Sequence, residues 1–192
     1  MRAKTIVACV VILFSFLTGA AVATPITYVA SLDGAQRVPP SGSLATGFGT
    51  VIVDPATNLL TFALSWSNLT TNPLGLHLHC CAPAGANGML AINFLGFPAA
   101  LSGAYAQTVD LSVGALYNPA FLTTHGGNAA QAESDLLAAL AGGNAYIDIQ
   151  NTSFPTGEIR GQLAAVPEPA TVLLLATGVA SVAARRHKRR RS

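Results

Sequence analysis

The clearest alternation in the chain is Leu60, Phe62, Leu64 and Trp66, interleaved with Thr61, Ala63, Ser65 and Ser67. A period of two places one apolar face on a strand. Ahead of it, Ile26 to Leu32 and Gly47 to Asp54 read as strands. Asp54-Pro55-Ala56-Thr57-Asn58 is a turn by its chemistry, because Pro presets one dihedral and Asn tolerates a left-handed one. The second and third segments therefore pair as a hairpin. After Thr70-Thr71-Asn72-Pro73 the alternation resumes, with Leu74, Leu76 and Leu78 on one face. Met89 to Phe94, Thr108 to Val113, Ala145 to Gln150 and Glu158 to Leu163 are further expected strands. One short helix is predicted. Asn128 caps it, Gln131 completes a capping-box pattern, Leu136, Leu137 and Leu140 form its stripe, and Gly142-Gly143 stops it. Short strands joined by turn signals predict an all-β domain, an antiparallel Greek-key sandwich or barrel. Ala164 to Val166 reads as a brief linker behind the last strand.

Both ends depart from this pattern. Arg2 and Lys4 precede an apolar run from Ile6 to Leu17, and Ala21-Val22-Ala23 supplies a small-x-small cleavage pattern. Residues 1–23 thus read as a secretory signal peptide, cut by signal peptidase between Ala23 and Thr24, with Cys9 leaving in the removed piece. At the other end, residues 166–192 hold three parts in order. Val166-Pro167-Glu168-Pro169 is a short motif, Ala170 to Ala184 is uncharged, and Arg185, Arg186, His187, Lys188, Arg189, Arg190 and Arg191 form a basic tail. A basic cluster resists crossing a bilayer, so it stays cytoplasmic and fixes the topology of what precedes it. The 15 residues from Ala170 to Ala184 rise about 22 Å as a helix, short of the roughly 30 Å hydrocarbon core. That length suits a temporary transmembrane anchor. The arrangement resembles the PEP-CTERM signal of Gram-negative exopolysaccharide producers. The resemblance implies processing at the Pro-Glu-Pro site by exosortase, a membrane protease-transpeptidase. It also implies transient anchoring in the inner membrane with the domain periplasmic, then delivery to the cell surface or extracellular matrix. The Leu-Pro-x-Thr-Gly motif of Gram-positive sortase substrates is absent.

Removing the ends changes what composition says. The whole chain carries a net charge of +2, but eight of its ten Lys and Arg residues lie in the two end segments. Thr24 to Ala165, 142 residues, keeps only Arg37 and Arg160 against seven carboxylates, a net charge of −5. Such a segment has no electrostatic footprint for DNA or RNA. It is the size of one domain and long enough to bury a core.

Within it, Leu76-His77-Leu78-His79-Cys80-Cys81-Ala82-Pro83-Ala84-Gly85-Ala86-Asn87-Gly88 resembles the His-x-His element of the CHRD domain, the module repeated in chordin and present in bacterial secreted proteins. Asn118-Pro119-Ala120-Phe121 and Ala145-Tyr146-Ile147-Asp148-Ile149 match that family's spacing. Phe154-Pro155-Thr156-Gly157-Glu158-Ile159-Arg160-Gly161-Gln162-Leu163 is similar to its closing Gly-Glu-Ile-Arg-Gly signature. Where the family often shows Asn-x-His after the Tyr, this chain has Asp148 and Gln150. The resemblance implies an all-β extracellular module over residues 24–165, without an established catalytic activity.

The candidate chemistry is sparse. His77 and His79, two apart on a strand, share the face opposite Leu76 and Leu78. Two imidazoles on one face are donors for zinc or copper, with His125 or Cys81 as a third ligand. Hydrogen bonding of both rings to loop backbone is the structural alternative and the favoured one. His77-x-His79, Asn118-Pro119 and His125-Gly126-Gly127 also resemble Cu/Zn superoxide dismutase faintly, but three histidines are too few for its bridged two-metal centre. Cys80 and Cys81 are open to four states: a vicinal disulfide, two free thiols, metal thiolates or an intersubunit link. In an oxidising compartment the vicinal bridge is the reading adopted. Glu158 and Arg160 fall on one face of a short strand, where an ion pair or a set of hydrogen bonds would fix the closing strand. The sequons at Asn68 and Asn151 are read as coincidence, and no phosphate-cradling loop or nucleophile elbow occurs. The sequence therefore predicts a non-enzymatic, exported module without a cofactor, binding polysaccharide or protein outside the cell. A metal-binding or dismutase-like protein centred on His77 and His79 is the alternative.

Overall fold

The computed structural model describes residues 24–167 and 177–178. The expected signal peptide with Ala21 and Ala23, the motif residues Glu168 and Pro169, the tail from Arg185 and all of the apolar span except 177–178 lie outside the described residues. Among the described residues no helix is long and apolar enough to cross a membrane.

Nine strands form one antiparallel sheet: β1 Ile26–Asp33, β2 Thr46–Asp54, β3 Leu59–Ser67, β4 Pro73–Cys80, β5 Met89–Phe94, β6 Gly103–Asp110, β7 Ala145–Asn151, β8 Ile159–Gln162 and β9 Ala164–Ala165. Their order is β5-β4-β7-β8-β1-β2-β3-β6, with β9 paired to β1. The sheet rolls on itself. Phe62 of β3 stacks on Phe94 of β5, ring centres 4.6 Å apart, although these strands lie near opposite ends of the order. Tight closure needs a missing side chain, and Gly49 provides it: a Cβ there would fall 2.3 Å from Ile147 Cδ1 on the facing strand β7. The result is the nearly closed, barrel-like form of the expected all-β fold. Alternation sets the inside, and Leu60, Phe62, Leu64 and Trp66 all point into the core as predicted.

Helix α1, Pro119–Thr124, is additional to the expected single helix; Asn118 caps it and Pro119 opens it. Helix α2, Ala129–Ala141, is the predicted one, with the Asn128 side chain accepting from Gln131 N at 3.0 Å. The reciprocal half of the capping box does not form, because the Gln131 amide turns to Asp135 instead. Sequence also placed a strand at Thr108 to Val113, whereas β6 spans Gly103–Asp110. As the edge strand it shows little burial on either face, so it lacks an apolar pattern. Beyond it Asp110 turns the chain by accepting from Ser112 N at 2.8 Å. The expected linker is corrected too: Ala164 and Ala165 form β9, and Val166 N donates to Thr27 O at 2.8 Å.

Candidate functional site

Strands β4, β7 and β8 have two unlike faces. One carries Leu76, Leu78, Ile147, Ile149 and Ile159 into the core. The other is polar, and register aligns it: His77 lies opposite Asp148, His79 opposite Tyr146, and Asp148 opposite Arg160. Two loops cover this polar face, one between β1 and β2 and one between β4 and β5. They are tied to each other by Asn87 Nδ2 donating to Val38 O at 2.9 Å.

Asp148 is the centre of the cluster, with a side chain 1% exposed. Its Oδ2 accepts from Arg37 Nη1 at 3.1 Å, and Arg37 continues to the carbonyls of Thr156 and Gly157. Its Oδ1 lies 3.5 Å from His77 Nδ1 and 3.3 Å from His79 Nε2. Both separations fall within ion-pair range, yet neither contact has hydrogen-bond geometry, and all three atoms are buried without a hydrogen-bond partner. Burial raises the Asp148 carboxyl, and the two imidazoles outweigh it, holding the group below the ordinary aspartate value. His79 is fixed further. Its Nδ1 faces Gly88 O at 3.1 Å, and its ring stacks 4.7 Å from that of Tyr146 at an interplanar angle of 3°. From the β8 side, Arg160 Cζ sits 3.5 Å from the centre of the Tyr146 ring, a cation–π contact. The favoured expectation, rings bonded to loop backbone, thus describes one nitrogen of His79 and leaves the other facing Asp148.

The closing Gly157-Glu158-Ile159-Arg160-Gly161 signature has a physical reason at each residue. Gly157 has φ of 117°, and a Cβ there would lie 2.6 Å from Arg37 Cζ. Glu158, fully buried, accepts from Ser43 Oγ, Thr70 N, Thr70 Oγ1 and Asn151 Nδ2, so one carboxylate gathers two loops and the end of β7. Ile159 enters the core. Arg160 donates to Ala86 O at 2.9 Å and to Gln162 Oε1 at 2.8 Å. Gly161 meets the β1 backbone, a Cβ there falling 2.7 Å from Ser31 O. Of the two arrangements expected for Glu158 and Arg160, each makes its own set of hydrogen bonds.

Cys80 and Cys81 are joined by a disulfide. Cys81 takes φ of 80°, and its amide and that of Ala82 both donate to Asn144 O. His125 stands apart from the His77–His79 pair. At the end of α1 it stacks 3.9 Å from Phe121, bonds Phe121 O through Nδ1 at 2.8 Å, and brings Nε2 to 3.8 Å from Cys81 Sγ. The ligating atoms that converge on the two histidines come from Asp148 instead, the trio lying within 4.8 Å of one another. Sequence reasoning missed Asp148 and Arg37. The signal was a lone acid inside the apolar run Tyr146-Ile147-Asp148-Ile149, which requires a partner, in a domain offering two basic side chains.

Fold and site together define a rolled antiparallel module whose last strands join its two halves, pinned by a buried charged cluster. The chain belongs to the CHRD domain family, whose profile matches residues 28–163. A PEP-CTERM protein-sorting motif matches residues 165–190, which marks the chain for export and for exosortase processing. No curated protein and no solved structure matches it.

Proposed function

We propose that this protein is an envelope or matrix component of a Gram-negative cell, in which the CHRD domain works without catalysis as a binding or structural module linked to exopolysaccharide or biofilm. One observation carries this reading: the sorting motif starts at the last strand of the described module. Among the described residues the last backbone tie to the sheet runs from Val166 N to Thr27 O, and the motif match, which starts at residue 165, overlaps it. Pro167-Glu168-Pro169 follows directly on that tie, which supports sorting of a folded module.

The character of the described surface supports a binding role. Arg37, Asp148, Glu158 and Arg160 are all buried and engaged in holding loops and strands together. The broad cleft across β2, β3 and β6, about 450 Å³, is lined by Phe48, Thr50, Ala63, Ser65, Ala104 and Tyr105. With Leu64 and Ala106 also in the wall, its mix of aromatic, aliphatic and hydroxyl side chains suits a saccharide or an extended protein segment.

The test is loss of exosortase in a host that carries one. The chain is expected to accumulate in the inner membrane at its untrimmed C-terminal length and to vanish from the surface or matrix fraction. Normal surface delivery without exosortase would overturn the sorting half of the proposal. Retention of the native protein on the host's own exopolysaccharide, lost in Phe48→Ala/Tyr105→Ala, tests the binding half.

A further inference from the structure

Three ligating atoms in the buried cluster have nothing to bond. His77 Nδ1, His79 Nε2 and Asp148 Oδ1 are shielded from solvent, and none has a hydrogen-bond partner. Leaving such groups unpaired is costly, and native folds rarely do so. The protonation of His79 sharpens the case. Its Nδ1 faces the Gly88 carbonyl at 3.1 Å, and a carbonyl only accepts, so Nδ1 carries the proton. In the neutral ring Nε2 is then a bare lone pair aimed at a carboxylate oxygen. Something positive belongs between them.

A second proton would create a charge-assisted hydrogen bond, but such bonds measure about 2.7–2.9 Å. The observed separations are 3.3 Å for His79 and 3.5 Å for His77. Two ligands held tetrahedrally at about 2.0–2.2 Å from one zinc-sized ion stand about 3.3–3.6 Å apart. The spacing fits a span across a metal ion. We propose that His77 Nδ1, His79 Nε2 and Asp148 Oδ1 bind one divalent transition-metal ion, zinc or copper(II), that bolts β4 to β7 beneath the two covering loops. The trio as a whole lies within 4.8 Å, wider than that span, so metal binding requires the two imidazoles to turn toward each other.

The surroundings are those of a supported metal site. Arg37 occupies Asp148 Oδ2, leaving Oδ1 as the single ligating oxygen. The Gly88 carbonyl and the Tyr146 ring hold His79 in tautomer and plane, the role that outer partners play around metal-bound imidazoles. Two imidazoles and a carboxylate are a borderline donor set. Cys80 and Cys81, joined in a disulfide, supply no thiolate that would favour copper(I). Three protein ligands leave a fourth position for water.

The full chain, purified in detergent and stripped with a chelator, is titrated calorimetrically with Zn²⁺ and with Cu²⁺ under oxidising conditions. One equivalent of one of them is expected to bind and to raise Tm. Electron paramagnetic resonance of the Cu²⁺ form should show coupling to two imidazole nitrogens. His79→Ala and Asp148→Asn should weaken binding about 100-fold or more, beyond the 10–100-fold typical of losing an outer partner. His125→Ala, outside the trio, should bind normally. The wild-type titration and spectrum keep the proposal exposed even where a variant fails to fold. Absence of stoichiometric binding by the wild type, a spectrum without two nitrogens, or loss of binding in His125→Ala would each overturn it.

Discussion

Arg37 and Asp148 meet at 3.1 Å although 111 residues separate them, with side chains 4% and 1% exposed. The contact pins the loop after β1 onto β7, so it holds the lid of the polar cluster in place. Removing one partner of a buried pair leaves an uncompensated charge, at a cost of about 3–5 kcal/mol. Arg37→Ala is therefore expected to lower folding stability by that amount in a denaturant titration. Adding Asp148→Asn to it should cost less than the sum of the two single changes, since the stranded charge is then gone.

Glu158 is expected to rank with Arg37, for a different reason. Its carboxylate is the shared acceptor for Ser43, Thr70 and Asn151. Glu158→Ala leaves the buried Asn151 amide without its acceptor, at about 1–3 kcal/mol, frees the partly buried Ser43 and Thr70 contacts, and should lower stability by about 2–3 kcal/mol. Glu158→Gln keeps one acceptor oxygen and should fall between the two. A thermal melt of Glu158→Ala indistinguishable from wild type would remove the carboxylate from the framework.

Gly161 tests how closely β8 packs. An added methyl would meet Ser31 O at 2.7 Å and Ala30 Cβ at 3.0 Å, and backbone does not yield as a flexible side chain does. Overpacking costs about 1–3 kcal/mol, so Gly161→Ala should lower the denaturation midpoint accordingly. Gly127→Ala is the contrast. It has φ of 70° but nothing within 4 Å of an added Cβ, so any loss there comes from backbone conformation alone.

Thiol counting reads two features at once. The chain has three cysteines, of which Cys80 and Cys81 are bonded to each other and Cys9 lies in the predicted signal peptide. Denatured, unreduced protein from the cell envelope is therefore expected to show no free thiol, and one only where the leader is retained. Two or more would mean that the bridge is open.

Most of the framework could be read from alternation. The β2–β3 hairpin, β5 and helix α2 stand where the pattern put them, because each buries one face against the core. Strand β6 shifted because an edge strand buries little and so carries no apolar stripe. Helix α1 was overlooked because six residues are too few for a helical period to show. The site was half legible. His77 and His79 share a face because residues two apart must, but their third neighbour depended on the β4–β7 register. That pairing joins residues about 70 apart, and no local pattern encodes it. Asp148 rather than His125 came to the pair because β7, not α1, lies beside β4.

The mass of the protein isolated from its own cell envelope tests export and C-terminal processing most directly. The expected N-terminus is Thr24, and the C-terminus should fall at or near the Pro167-Glu168-Pro169 motif, with the basic tail gone. An intact 192-residue chain, recovered from the cytosol with both ends in place, would contradict it.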